Sequence, residues 1–153
     1  MSADLTVADL PEPTCNKGVL RRNTQAFTAG DGSGVAGDCW RTAISCVLGI
    51  DRDDVPHFVQ LGRKNPDSVY WYTAALGWLA ERGFQLHALR ELRGAIPAPY
   101  AIATGMGPRG YVHAVIVDAS TGETVWDPHP SRDGLAGPAD RFEFITRAPV
   151  MAA

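Results

Sequence analysis

The sequence has no long apolar run, no cluster of basic residues and few cysteines, and each absence excludes a class of protein. No segment approaches the ~18 consecutive apolar residues of a transmembrane helix. The first residues are acidic and lack the basic start and apolar stretch of a signal peptide. The net charge is -3 and no basic stretch accompanies it. We therefore expect a cytoplasmic protein whose partners include neither membranes nor nucleic acids, and a monomer by default.

The cysteines are few and odd in number: Cys15, Cys39 and Cys46 in a chain of 153 residues. A chain of this length buries enough surface to fold without disulfide bonds. We therefore expect free thiols in a reducing compartment. Cys46 lies ~10 Å along an apolar helix from its start, which favours a structural thiol, and Cys15 is expected to be incidental. Cys39 is left as the candidate reactive thiol.

The order of apolar patterns along the chain predicts the fold class. Residues 1–20 hold acids and prolines with little periodicity, which indicates a flexible acidic arm. A single domain is expected over residues 21–150, with no repeat or linker. Helical spacing of apolar residues comes first, and short strand-like runs follow. These strand-like runs cover residues 84–89, 99–104, 111–118, 123–128 and 141–146. Helices followed by strands predict an α+β fold, with N-terminal helices packed on a C-terminal antiparallel sheet.

The stretch GVAGDCWRTAISCVLGI, residues 34–50, places Cys39 at the start of an apolar helix. Asp38 is predicted to cap this helix and Gly49 to end it. The positive end of a helix dipole and its unpaired N–H groups stabilise a thiolate and a developing oxyanion. The neighbouring carboxylate of Asp38 opposes the thiolate, so a basic partner is required.

That partner is predicted in RGYVHAVIVDASTGETVWDPHP. The ASTG segment suits a hairpin turn, so residues 112–118 and 123–127 are expected to pair antiparallel. This pairing places His113 close to Asp127. The carboxylate then holds one imidazole nitrogen and leaves the other for Cys39. We predict that Cys39 is the nucleophile, His113 the general base and Asp127 the orienting group.

These motifs resemble a known superfamily. The order of Cys, then His on a strand, then Asp after the next strand is similar to that of the papain-like cysteine peptidases. GDCWRTAISCVLGIDRDDVPHF, HAVIV and WDPHPSRDGL resemble small papain-like proteins of bacteriophages and bacteria, related in layout to the double-glycine leader peptidase domain of bacteriocin exporters. The resemblance implies a papain-like fold and cofactor-free cleavage of a peptide, isopeptide or related amide bond in a peptide or protein substrate.

Papain relatives place an oxyanion-binding Gln a few residues before the catalytic Cys, and this chain departs from that pattern. The nearest upstream Gln is Gln25, fourteen residues before Cys39. The glycine-rich loop between them allows the chain to fold back, so Gln25 is the oxyanion candidate. The candidate substrate-binding residues are Asp38, Trp40, Arg109 and His129.

Other functions fit the same residues. An acyl-enzyme that passes its acyl group to an amine would make the protein a transglutaminase-like acyltransferase. A chain that kept the fold without turnover would be a binding module. Cys39, His113, Asp127 and His129 are also zinc-ligand types, but the local Cys-x-x-Cys or His-x-x-x-His spacing is absent, so we expect no metal.

Overall fold

The computed structural model describes residues 20–67 and 70–149, so the predicted arm, except for Leu20, and Cys15 lie outside the described residues. The helices are α1 (Cys39–Leu48), α2 (Phe58–Gly62) and α3 (Tyr70–Glu81), with a 3-10 turn at Arg52–Asp54. The strands are β1 (Phe84–Leu89), β2 (Tyr100–Met106), β3 (Val112–Asp118), β4 (Thr124–Trp126) and β5 (Arg141–Arg147). The predicted α+β class is confirmed. No helix of the described residues is long and apolar enough to cross a membrane.

The strands form one sheet in the order β1-β5-β2-β3-β4, and every neighbouring pair is antiparallel. The last strand of the chain, β5, therefore lies between β1 and β2. Consecutive strands β2 and β3 pair along their full length, from Tyr100 opposite Asp118 to Met106 opposite Val112. This ladder holds the start of β3, and with it His113, at one end of the sheet.

Helix α1 packs on β3 and forms the centre of the main core. Its buried face includes Ile44, Val47 and Leu48, which join Ile116 and Ile145 of the sheet. A buried Leu or Ile side chain contributes about 1.5–3 kcal/mol to folding. The face of α1 that fills this core also places its first residue, Cys39, beside the start of β3.

The ends of α1 show one confirmed prediction and one correction. Gly49 ends the helix with a left-handed φ of 74°, and its N–H donates to the carbonyls of Ser45 and Cys46, as expected. Asp38 precedes the helix, but its side chain makes no capping bond. Its carboxylate instead accepts hydrogen bonds from the backbone N–H groups of Ala26 and Phe27. Backbone amides of another segment occupy the carboxylate, so Asp38 holds the predicted N-cap position without the expected capping bond of its side chain.

The segment before the glycine-rich loop is extended and forms no strand. Arg21 N–H donates to Cys46 O at 3.1 Å, and Gln25 N–H donates to Pro128 O at 2.9 Å. The segment therefore runs from the end of α1 to the chain just beyond β4. This path places Gln25 beside the start of α1.

Candidate active site

The β3–β4 hairpin brings His113 and Asp127 into contact, although not as ladder partners. Ile116 lies opposite Trp126, and the register shifts between Ile116 and Val117. Asp127 follows the last residue of β4, and its Oδ1 accepts a hydrogen bond of 2.6 Å from His113 Nε2. The predicted contact is present, but the side chain of Asp127 makes it from beyond the strand end.

Asp127 is buried and held by three hydrogen bonds. Its carboxylate also accepts N–H bonds from His129 at 2.8 Å and Gly134 at 2.7 Å. Burial acts to raise the pKa of Asp127, but the bonds from His113, His129 and Gly134 outweigh it and lower that pKa. The carboxylate is therefore ionised and fixed in orientation at neutral pH.

Cys39 is half-buried at the first turn of α1, and its side chain lies beside the ring of His113. Since Nε2 of His113 contacts Asp127, Nδ1 is the ring nitrogen that remains for the thiol. Burial acts to lower the pKa of His113, but its hydrogen bond to Asp127 and the neighbouring Cys39 raise that pKa to about 9. The structure thus brings the three predicted residues together and favours an imidazolium beside the ionised carboxylate of Asp127.

Two clefts meet at these residues. The first has a volume of about 220 Å³ and includes Gln25, Arg63 and Arg109 in its lining. The second has a volume of about 380 Å³ and includes Trp40, Trp71, Tyr72, Arg141 and Glu143. Cys39 and His113 line both clefts. A substrate that crosses the Cys39 thiol can therefore occupy the first cleft on one side and the second on the other.

Gln25 lies in the first cleft with Cys39 and is 6% exposed. Its Nε2 donates to Phe27 O at 2.6 Å, which uses one of the two amide N–H groups. Its Oε1 accepts no hydrogen bond from the described residues. The bonds of the adjacent residues 26 and 27 to Asp38 fix the segment. The fold-back that the sequence allowed is therefore present.

Asp38 and Trp40 flank Cys39 but have different surroundings. The Asp38 side chain is fully buried, also pairs with Arg41 at 3.0 Å, and lines neither of the two clefts. The predicted substrate contact of Asp38 is therefore wrong, because its carboxylate is directed into the protein. Trp40 lines the second cleft, and its indole N–H donates to Glu143 at 2.9 Å.

Arg109 and His129, the other predicted contact residues, both line the first cleft. The loop that carries Arg109 is closed by a 2.8 Å bond from Gly107 N–H to Tyr111 O, as in a hairpin. Ser131 joins the two residues: Arg109 Nη1 donates to its hydroxyl at 3.1 Å, and His129 Nδ1 lies 2.8 Å from the same oxygen. The side chains of Arg109 and His129 are therefore held together beside His113.

Sequence reasoning missed the polar centre of the second cleft. Glu143 is 2% exposed and accepts hydrogen bonds from Trp40 and, at 3.0 Å, from the Tyr72 hydroxyl. Burial and the charge of Glu143 raise the pKa of Tyr72 to about 12, so this hydroxyl remains a donor. A lone carboxylate between two phenylalanines of a strand is typical of a solvent-facing position. Only the packing of α3 on the sheet reveals that Glu143 is buried.

No group of three or more His, Cys, Asp or Glu side chains within residues 20–67 and 70–149 is arranged to hold a metal ion. None of the protein-family models, curated proteins or solved structures with which the chain was compared matches it. The functional conclusion therefore depends on the geometry of the site.

Proposed function

We propose that the protein is a cysteine hydrolase with a papain-like fold, which cleaves a peptide, isopeptide or related amide bond. The observation that carries the proposal is the position of Cys39 beside His113 in both clefts, with His113 hydrogen-bonded to the buried carboxylate of Asp127. Support for the fold comes from the layout: a helix that begins at the nucleophile packs on an antiparallel sheet that carries the base.

In the proposed reaction, the Cys39 thiolate attacks the carbonyl carbon of the substrate, and the carbonyl electrons move to oxygen. As the tetrahedral intermediate collapses, the C–N bond breaks and His113 gives its proton to the leaving amine. Water then attacks the thioester while His113 takes a proton from it. The acid departs, and the thiolate of Cys39 is regenerated with His113 protonated.

The first turn of α1 and Gln25 supply donors for the oxyanion in this proposal. The N–H of Asp38 is already bonded to Phe27 O at 3.2 Å, so it is not available. The N–H of Cys39 belongs to the first turn, whose N–H groups have no partner within a helix. The side-chain amide of Gln25 has a second N–H, which its bond to Phe27 O does not use. Together these two donors stabilise the charge that develops on oxygen.

A mixed peptide library tests the proposed activity. Wild-type protein is expected to release new peptide termini, detected by mass spectrometry, and Cys39→Ala is expected to release none. Cys46→Ala is the matched control, because Cys46 is fully buried and desolvation raises its thiol pKa to about 11. Cys46 therefore remains a protonated thiol that a substrate does not reach, and its removal should leave cleavage intact.

Two results together would contradict the hydrolase. The library would yield no product, and iodoacetamide at neutral pH would label Cys39 no faster than the buried Cys46. The protein would then be a binding module with the arrangement of a hydrolase. A product in which a library amine has replaced the leaving group would instead identify an acyltransferase.

The proposed activity is expected to fall with rising pH near pH 9. The pKa of His113 is raised from its ordinary value of 6.5 to about 9, so its proton is present at neutral pH and is lost as the pH rises through that value. Asp127→Asn removes one of the charges that raise this pKa and should move the alkaline limb of kcat/KM to lower pH. If the limb stays in place in this variant, it belongs to a group other than His113.

A further inference from the structure

The first cleft has a charge opposite to that of the whole chain. The protein has a net charge of -3, yet the cleft is lined by Arg63 and Arg109 together with His113 and His129. Among the described residues, no Asp or Glu lines it. A cleft with charge of one sign attracts ligands of the opposite sign.

The two arginines of this cleft are not neutralised by carboxylates of the described residues. Arg63 Nη1 donates to Gly34 O at 3.2 Å, and Arg109 Nη1 donates to Ser131 at 3.1 Å, so both acceptors are neutral. Six other arginines do pair with carboxylates: Arg21, Arg41, Arg52, Arg82, Arg93 and Arg141. Each guanidinium has five N–H donors in a planar fork that suits a carboxylate.

The two clefts differ in whether a carboxylate of the protein neutralises their arginines. Arg141 of the second cleft lies 3.4 Å from Glu143, so its charge is matched inside the protein. In the first cleft, burial and the charge of Arg109 lower the pKa of His129, which leaves that ring neutral at neutral pH. The unmatched positive charge beside Cys39 therefore comes from Arg63 and Arg109.

We propose that the first cleft binds a carboxylate of the substrate, so that the protein acts on acidic peptides. This inference rests on the proposed function, and it deepens it by naming the substrate class. The carboxylate belongs to an Asp or Glu side chain or to a free C-terminus close to the scissile bond. Arg63 and Arg109 bind it in the first cleft, while the second cleft, whose Arg141 is paired with Glu143, has no preference for an anion.

The rate of alkylation of Cys39 tests this cleft without any need for turnover. Iodoacetate carries a carboxylate and iodoacetamide is neutral, so the ratio of their rate constants reports the attraction for an anion. Arg63→Gln and Arg109→Gln are each expected to lower this ratio about 2- to 5-fold, the size of an exposed ion pair. Arg93→Gln is the control, because Arg93 is exposed and paired with Glu91 away from both clefts. Added salt should lower the ratio in the wild type.

Binding to Cys39→Ala gives a second, independent measurement. Peptides blocked at both ends that contain Glu or Gln at one position are titrated and followed by NMR. We expect the Glu peptide to bind about 2- to 5-fold more tightly, with the preference lost in Arg63→Gln and Arg109→Gln backgrounds. A Gln peptide with a free C-terminus separates a terminal carboxylate from a side-chain carboxylate as the source.

The carboxylate cleft would be overturned if the blocked Glu peptide, the blocked Gln peptide and the Gln peptide with a free C-terminus all bound equally well. An alkylation ratio that neither arginine substitution changes would overturn it too. The outcomes separate this inference from the hydrolase. A clear preference for the acidic peptide in a protein that cleaves nothing would contradict the hydrolase alone. Cleavage of neutral and acidic peptides at equal rates would contradict the carboxylate cleft alone.

Discussion

Replacement of His113 by alanine is expected to lower kcat/KM for a cleaved peptide by about 10²–10⁴-fold, the usual contribution of general acid–base catalysis. His113 is hydrogen-bonded to Asp127 and lines both clefts beside Cys39. Its loss removes the cation beside the thiolate and the proton that the leaving amine needs. The measurement is a steady-state assay on a peptide selected from the library, with thermal unfolding of each variant recorded in parallel.

Asp127→Asn is expected to cause a smaller loss than His113→Ala. The amide oxygen can still accept from His113 and His129, although its NH2 group then opposes the Gly134 N–H that now donates to Asp127. His87→Ala is the control. His87 is a half-buried histidine of β1 that stacks on Phe144 and bonds to Thr146, and it lines neither of the two clefts. Harmless His113 and Asp127 substitutions would show that the assigned triad is wrong.

Asp38→Ala is expected to lower the free energy of unfolding by about 3–5 kcal/mol, as when one partner of a buried ion pair is removed. Three N–H donors lose their acceptor: the backbone amides of Ala26 and Phe27 and the Nε of Arg41. The Arg41 side chain is 11% exposed, so water replaces the carboxylate poorly. Urea denaturation of wild type and variant measures the difference.

Asp53→Ala is the matched control for Asp38. Asp53 faces the same Arg41 at 3.9 Å and also pairs with Arg52, but its side chain is 72% exposed. An exposed pair of this kind contributes at most about 1 kcal/mol. Similar destabilisation by the two substitutions would show that burial of Asp38 has no special effect. Since Asp38 also holds the residues next to Gln25, its variant should lose activity even where it remains folded.

Local patterns in the sequence were sufficient for most of the secondary structure. Apolar residues at helical spacing predicted α1, and Gly49 ends this helix in the left-handed conformation that glycine favours. The five strand-like runs correspond to the five strands of the sheet. These predictions succeeded because helix spacing, strand alternation and glycine turns depend on residues close together in the chain.

Contacts between distant residues were harder to predict. The capping preference of Asp38 is a local property, but backbone amides twelve and eleven residues earlier captured its carboxylate. The alternation of residues around Glu143 is also local, whereas its bonds to Trp40 and Tyr72 join residues 103 and 71 positions apart. In both cases a buried partner determined where the polar side chain lies, because an unpaired buried charge is costly.

The sequence by itself determined the α+β order, the helix that begins at Cys39, and the hairpin that links His113 to Asp127, because each depends on short-range patterns or a short turn. Only the tertiary structure decided that β5 lies between β1 and β2, that Gln25 returns to the side of Cys39, and that Arg63 and Arg109 face one cleft. These features depend on which distant segments bury one another, and packing energy of that kind is shared among many residues without leaving a local pattern.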